Sequence, residues 1–490
     1  MTEISDISSA DVTSGAPGAS KFWYDDRPCG SGKTHAELTH MVSTPGRYLF
    51  ACDRKAAISE RLIMIARLKS EFHSNAVVVT VMSGDPDERQ KVAAIRQVRV
   101  QVEALPGTYT SGHVIVLITH VGLMDSDLTK FQGWALIIDE TPSIFETHTL
   151  NSQLSWPILE RHFDLAPGDP FNVMLSKSAI NNAVFYRDDM TRPIATLQRR
   201  VESEQYEVLT ALDAWAGLEV NPKWRWVSIW TPRSLRAFDR VTILANAFDR
   251  SLTYKVMEAL EPEIVWNRLA RTSRRVFNSR LIKITYFAEA HLATRGLFSK
   301  PKGQANLSAV ANFLAAAEKS STAIWSCNKA DRQQLTRMPG EHLAPRQAGS
   351  NAYDHIDVAA MIYAAKPSPP EVEVLEALGV DAAAVRATRE FEVIYQFVSR
   401  TSVRDPESAR PVRLYVYDHV QARYLEEMLE AMGYDQVQTV SHDLGFLHDA
   451  HENSPGRKTK SLQPEQIVAK KLRERELARE RKRRSRAKAK

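Results

Sequence analysis

The chain has 490 residues, 43% hydrophobic and 25% charged, with 20 Gly, 23 Pro and 3 Cys. That length suggests about three domains and is ample for a buried core. The composition excludes a wholly disordered or collagen-like protein, and three widely spaced cysteines exclude a disulfide framework or a Cys-based zinc motif. The net charge of +5 hides an asymmetry, because residues 457–490 carry 15 basic and 4 acidic side chains and leave the remainder slightly acidic, 49 against 55.

Residues 1–20 are rich in Ser, Ala, Gly and Asp and read as a disordered leader. They hold no basic residue before Lys21, so they are not a secretory signal. From Phe22 short β-branched runs alternate with longer amphipathic stretches. The runs are Tyr48–Cys52, Ala76–Met82, Val114–Thr119 and Trp134–Ile138, and the helical spacings fall at Ala56–Phe72 and Glu88–Leu105. Continuous apolar strands alternating with helices predict a parallel sheet covered on both faces. After Pro142 the rhythm breaks. Residues 143–240 predict a mostly helical insertion with a tryptophan cluster, Trp215, Trp224, Trp226 and Trp230, read as core. Strands resume at Val241–Ala247, Leu281–Phe287, Ala323–Cys327, Val358–Tyr363 and Val412–Tyr417.

The expected organisation is a leader (1–20), a first α/β lobe (21–255) with its insertion, a second lobe (256–445) and a basic tail (446–490). No apolar run reaches the ~18 residues that span a bilayer, so no membrane partner is expected. A reducing compartment is, either the cytoplasm or another that contains nucleic acid.

The strongest local signal is Pro28-Cys29-Gly30-Ser31-Gly32-Lys33-Thr34. Its glycines let backbone N–H groups close around phosphate oxygens, Lys33 supplies a point charge, and Thr34 is placed to ligate Mg²⁺. Arg27 stands where the usual pattern has its first Gly. About a hundred residues on, the strand Trp134–Ile138 ends in Asp139 and Glu140. Strand ends of an open α/β sheet face the ligand crevice. There Asp139 would hold Mg²⁺ and Glu140 would orient or deprotonate a water.

With these residues the chain resembles the DEAD/DEAH-like superfamily-two helicases, Asp139-Glu140-Thr141-Pro142 standing for the tetrad of that name. The resemblance implies two RecA-like P-loop lobes, ATP and Mg²⁺ as cofactors, and DNA or RNA as a partner held through its backbone. Tyr48–Arg61 looks like a nucleic-acid-contacting motif, as does Ile118-Thr119-His120, which makes Arg54, Lys55, Thr119 and His120 candidate contacts. Ile243–Phe248 takes the place of a motif that usually carries hydroxyl residues and here has none. In the second lobe Ala323–Asp331 and Gly349–Asp357 look like motifs of the family. Gln396 to Arg404 (QFVSRTSVR) looks like the element that supplies an arginine to the γ-phosphate. Arg404 is favoured as that finger, with Arg400 close behind. The basic tail (KKLRERELARERKRRSRAKAK from Lys470) reads as a tether for DNA or RNA, with a protein partner as the alternative.

The expected function is an ATP-dependent helicase or translocase, a nucleic-acid-dependent ATPase. A motor for packaging or restriction-type translocation, and a degenerate non-hydrolysing binder of nucleic acid, remain open beside it. The leader, insertion and tail are consistent with a bacterial, phage or mobile-element setting.

Overall fold

The computed structural model describes residues 21–84, 91–151, 156–168, 171–177, 192–211, 215, 223–271, 276–318, 323–345 and 352–446. The leader, the tail beyond Phe446 and Gly349–Asn351 lie outside the described residues. Residues up to Leu444 pack as one unit, and of the unit that begins at Gly445 only Gly445 and Phe446 are described.

The first lobe opens with β1 (Phe22–Asp25), α1 (Lys33–Ser43), β2 (Arg47–Cys52), α2 (Lys55–Glu71), β3 (Val77–Val81), α3 (Lys91–Thr108), β4 (Val114–Thr119), α4 (His120–Met124) and β5 (Ala135–Asp139). An insertion follows, made of β6 (Phe145–Asn151), α5 (Trp156–His162), β7 (Phe163–Ala166), β8 (Phe171–Ser176), α6 (Arg192–Glu202), β9 (Tyr206–Ala211) and β10 (Lys223–Trp230). The lobe closes with β11 (Arg240–Leu244), α7 (Leu252–Leu260) and β12 (Trp266–Arg268). Its sheet has the order β12-β1-β11-β5-β2-β4-β3, with every pairing parallel.

Alternation along the strands explains why these runs are apolar throughout. Phe50, Cys52, Ile115, Leu117 and Ile137 face the core with Leu38 and Met41 of α1 and Ile58 and Ile65 of α2. Leu49, Ala51, Val116, Ile118, Leu136 and Ile138 face the opposite core with Val102 and Leu105 of α3 and Val256 of α7. Burying one such side chain contributes roughly 1.5–3 kcal/mol. A strand between two helical layers therefore gains by being apolar at every position.

The insertion departs from the mostly helical expectation. It is a five-stranded antiparallel sheet, β6-β10-β9-β8-β7, with two described helices. Trp224, Trp226 and Trp230 sit at even spacing on β10 and are 1%, 3% and 0% exposed, which is a strand period rather than a helical one. Their core role is as expected, and Trp215 packs edge-on against Trp224.

The second lobe comprises β13 (Ile282–Ala288), α8 (Arg295–Phe298), α9 (Pro301–Ala317), β14 (Ala323–Cys327), β15 (Glu341–His342), β16 (Val358–Ile362), α10 (Pro369–Ala377), α11 (Ala383–Arg386), α12 (Glu392–Val398), β17 (Val412–Asp418), α13 (His419–Met432) and β18 (Val437–Ser441). Its sheet, β15-β14-β16-β17-β13-β18, is again wholly parallel. Two parallel α/β lobes are thus present, as expected. Their junction is packed as well as polar. Val374, Leu375, Val380, Ala384 and Val385, from the segment between β16 and β17, join the core cluster of the first lobe. Thr388 Oγ1 accepts from the Leu252 N–H at 2.7 Å, and Arg389 donates to the Phe145 carbonyl at 3.0 Å. This segment fastens α12 to the first lobe.

Candidate active site

Register decides what meets at the strand ends. In the parallel pairing Asp25 lies opposite Leu244 and Leu244 opposite Asp139, so β1, β11 and β5 end at one level. The loop Asp26–Gly32 that leaves β1 therefore closes over the acid pair that ends β5. Gly30 and Gly32 have φ of 77° and 82°, a region that glycine enters without penalty. Gly32 caps α1 in that conformation with no side-chain cap, leaving the helix N-terminus to an anion. Arg27, in the place of the usual first glycine, forks onto the buried Asp25 carboxylate, with Nε–Oδ1 at 2.9 Å and Nη2–Oδ2 at 2.7 Å. It ties the start of the loop to its own strand.

Lys33 Nζ donates to the carbonyls of Arg27 and Pro28, the latter at 3.0 Å. Thr34 Oγ1, the next side chain, donates to Asp139 Oδ1 at 2.8 Å. The other Asp139 oxygen, Oδ2, receives Nε and Nη2 of Arg61, both at 3.1 Å. Burial works against charge on Arg61, yet Asp139 raises its pKa further still. The motif-like stretch Tyr48–Arg61 ends on Arg61 but does not give it this role. Its sequence signal is its helical spacing from Ile58 and Ile65, which places it on the sheet-facing side of α2.

Glu140 has φ of 73°, a strained value for a residue with a side chain. This turn carries its carboxylate away from the strand toward the second lobe, where Gln396 Nε2 donates to Oε2 at 2.9 Å. Burial first, and then Asp139 beside it, push the Glu140 pKa up to about 7. A carboxyl group tuned to that range suits proton transfer near neutral pH.

Two further contacts join the lobes at this place. The Cys29 N–H donates to the buried Tyr395 hydroxyl at 3.2 Å, and Asn246 Nδ2 donates to Glu392 Oε2 at 2.8 Å. Burial pushes the Cys29 thiol up to about 12, so it is not a thiolate nucleophile.

The two arginines of the Gln396–Arg404 element differ. Arg400 is 4% exposed, and its Nη1 is buried without a hydrogen-bond partner. Burial and then Arg54 lower its pKa to about 10, while Glu140, Cys29 and Asp53 act in the other direction. Its charge is therefore felt from both sides of the cleft. Arg404 closes a short 3₁₀ turn begun by Thr401 and is more exposed, although its charge also reaches Cys29. Arg400 thus offers a buried Nη1 without a hydrogen-bond partner to an incoming anion, whereas Arg404 is half-buried.

Ser31 Oγ is a second buried polar atom without a partner, lying within the loop itself. Ser31 Oγ, Arg400 Nη1 and the uncapped N-terminus of α1 fit a polyphosphate. Thr34 and Asp139 offer hard oxygen donors side by side, which fits Mg²⁺ carried with that phosphate. Among the described residues no group of three or more His, Cys, Asp or Glu could hold a metal by itself.

The candidate nucleic-acid contacts divide. Arg54 lines a cavity of about 430 Å³ between the lobes, together with Arg250, Arg389 and Gln396. Lys55 Nζ donates to the Gly84 carbonyl at 2.6 Å. Thr119 Oγ1 instead caps α4, accepting from the Gly122 N–H at 3.1 Å. His120 is 6% exposed and turned inward, its Nε2 3.0 Å from the Asp139 carbonyl oxygen. Burial lowers its pKa, and the neutral ring buttresses the end of β5. His120 supports the end of β5 through this contact and also lines the cavity that Arg54 lines.

No protein-family model matches the chain, and no curated protein matches it in sequence. Solved structures do. S. tokodaii Xpd4 has a TM-score of 0.39 at 10% identity, covering 84% of this chain and 99% of its own. S. cerevisiae Dbp5 bound to RNA and ADP BeF3 has a TM-score of 0.33 at 8% identity, covering 88% and 87%. A DEAD box protein from the hyperthermophile Methanococcus jannaschii has 0.25 at 9%, covering 86% and 88%. Among the described residues no helix is long and apolar enough to cross a membrane.

Proposed function

We propose that the chain is a nucleic-acid-dependent ATPase, a helicase or translocase that hydrolyses ATP between its two lobes. One observation carries the reading: Gln396 of the second lobe donates to Glu140 of the first, beside the Thr34–Asp139 pair and the Lys33 loop.

In this reading Lys33 leaves the carbonyls of Arg27 and Pro28 for the β- and γ-phosphates, and the N–H groups of Cys29–Thr34 close around them. Thr34 and Asp139 would hold Mg²⁺, which would neutralise phosphate charge when bound. Glu140 orients the attacking water and takes its proton, held in place by Gln396. Arg400 stabilises the charge that builds on the γ-oxygens. Residues of both lobes must close on the phosphate together, which is how hydrolysis could drive movement along a strand. Arg54 and Lys55 at the β2 end, and the basic tail, are the proposed contacts to a DNA or RNA backbone.

The test is ATP turnover against single-stranded DNA, duplex DNA and RNA. Stimulation by one of these, abolished in Lys33→Ala and Glu140→Gln, is expected. Nucleic-acid binding with no turnover under any of them would favour the degenerate binder instead. Strand-displacement against triplex-displacement assays separate unwinding from bare translocation.

A further inference from the structure

Glu392, on the first turn of α12, was singled out by no motif. Its carboxylate is nonetheless where the lobes meet. Oε1 accepts from Gln396 Nε2 at 3.1 Å, one helical turn on. Oε2 accepts from Asn246 Nδ2 of the first lobe at 2.8 Å and from the Tyr424 hydroxyl of α13 at 3.3 Å. Gln396 gives its second N–H to Glu140 at 2.9 Å. Both N–H bonds of the Gln396 amide are thus given to acid groups, one on each side.

We infer that Glu392 is a positioning residue for the hydrolytic site, fixing the Gln396 amide on Glu140 and tying both to Asn246 of the first lobe. This rests on the proposed hydrolysis at Glu140. Asn246 belongs to the stretch Ile243–Phe248, where the helicase-like pattern lacks its hydroxyl residues. Here an amide N–H donated to a carboxyl oxygen makes the link across the lobes. Thr388 and Arg389, just upstream, pin the same helical run to Leu252 and Phe145. Glu392 therefore meets Asn246 only while the lobes are together, and Gln396 is held on Glu140 by the same contact. Burial first, with Glu140 contributing, pushes the Glu392 pKa up to about 8, as befits a carboxyl drawn into the junction rather than one on a solvated helix face. A lobe shift that parts Asn246 from Glu392 would leave the Gln396 amide free to turn.

The experiment compares full-length wild type, Glu392→Ala, Glu392→Gln, Gln396→Ala and the double Glu392→Ala/Gln396→Ala. ATP turnover at saturating polynucleotide is expected to fall about tenfold in kcat for Glu392→Ala, with KM for ATP within about twofold. Glu392→Gln, which keeps an acceptor oxygen, recovers most of the loss. In the Gln396→Ala background the Glu392→Ala change adds less than about twofold, because the two side chains act as one unit. Hydrogen exchange without nucleotide supplies a reading that needs no turnover. Glu392→Ala is expected to speed exchange at 139–142 and 243–248 and to leave β16 unchanged. An unaltered kcat, a loss that multiplies with Gln396→Ala, or faster exchange throughout the second lobe would overturn the inference. A wild type that does not hydrolyse ATP would defeat the proposed function alone, and the exchange comparison would still decide the positioning.

Discussion

Arg61 and Thr34 hold Asp139 from opposite sides, the guanidinium on Oδ2 at 3.1 Å and the hydroxyl on Oδ1 at 2.8 Å. The carboxylate is 4% exposed, so it depends on these donors for the hydration it has lost. Arg61→Ala would leave a buried charge with a single hydroxyl donor. Such a loss costs about 3 kcal/mol, and chemical denaturation of the metal-free protein should show it. Magnesium with nucleotide should restore part of the difference by supplying the missing positive charge. Equal stability of variant and wild type would remove this role for Arg61.

Glu140 gives the protein a pH dependence of defined sign. Its pKa rises from 4.5 to about 7 on folding, chiefly through burial. The folded state therefore holds a proton that the unfolded chain has already released. Its contribution to stability is favourable below the unfolded value and is lost as pH rises from about 4.5 to 7. Glu140→Gln has nothing to ionise. In EDTA it should match wild type near pH 4.5 and exceed it at pH 8 by on the order of 2 kcal/mol. Denaturation at the two pH values checks this, and a variant less stable at pH 8 would contradict the raised pKa.

The tail offers a prediction from charge alone. Residues 457–490 carry 15 basic and 4 acidic side chains on a chain otherwise slightly acidic. Removing them should weaken polynucleotide binding and flatten its salt dependence, by about 0.7–0.9 in log–log slope for each phosphate that the tail had neutralised. Fluorescence anisotropy over a salt series measures it. An unchanged slope would leave the tail to a protein partner.

Much of the fold was legible because buried parallel strands are apolar at every position: the runs at Tyr48–Cys52, Val114–Thr119, Ala323–Cys327 and Val412–Tyr417 all lie in β2, β4, β14 and β17. The insertion was misread because Trp224, Trp226 and Trp230 share a two-residue period that also fits an irregular aromatic cluster. The phosphate loop and the acid pair were legible as local patterns of small and charged residues. The roles of Arg61 and Glu392 were not. Helical spacing puts a charged residue on one face of a helix, but only the packing of α2 and α12 shows which partner that face meets. The sequence places His120 after a strand but does not show that its ring reaches the Asp139 carbonyl oxygen.

If the second lobe completes a site that the first lobe begins, turnover of Arg400→Ala must show it. Arg400 carries a buried, unpartnered Nη1 near Glu140 and Cys29. Arg400→Ala should therefore lower polynucleotide-stimulated kcat by about 10³-fold while binding of a non-hydrolysable triphosphate persists, with Arg404→Ala losing less. Wild-type turnover in Arg400→Ala, in protein whose Lys33→Ala variant is inactive, would contradict a cleft shared by both lobes.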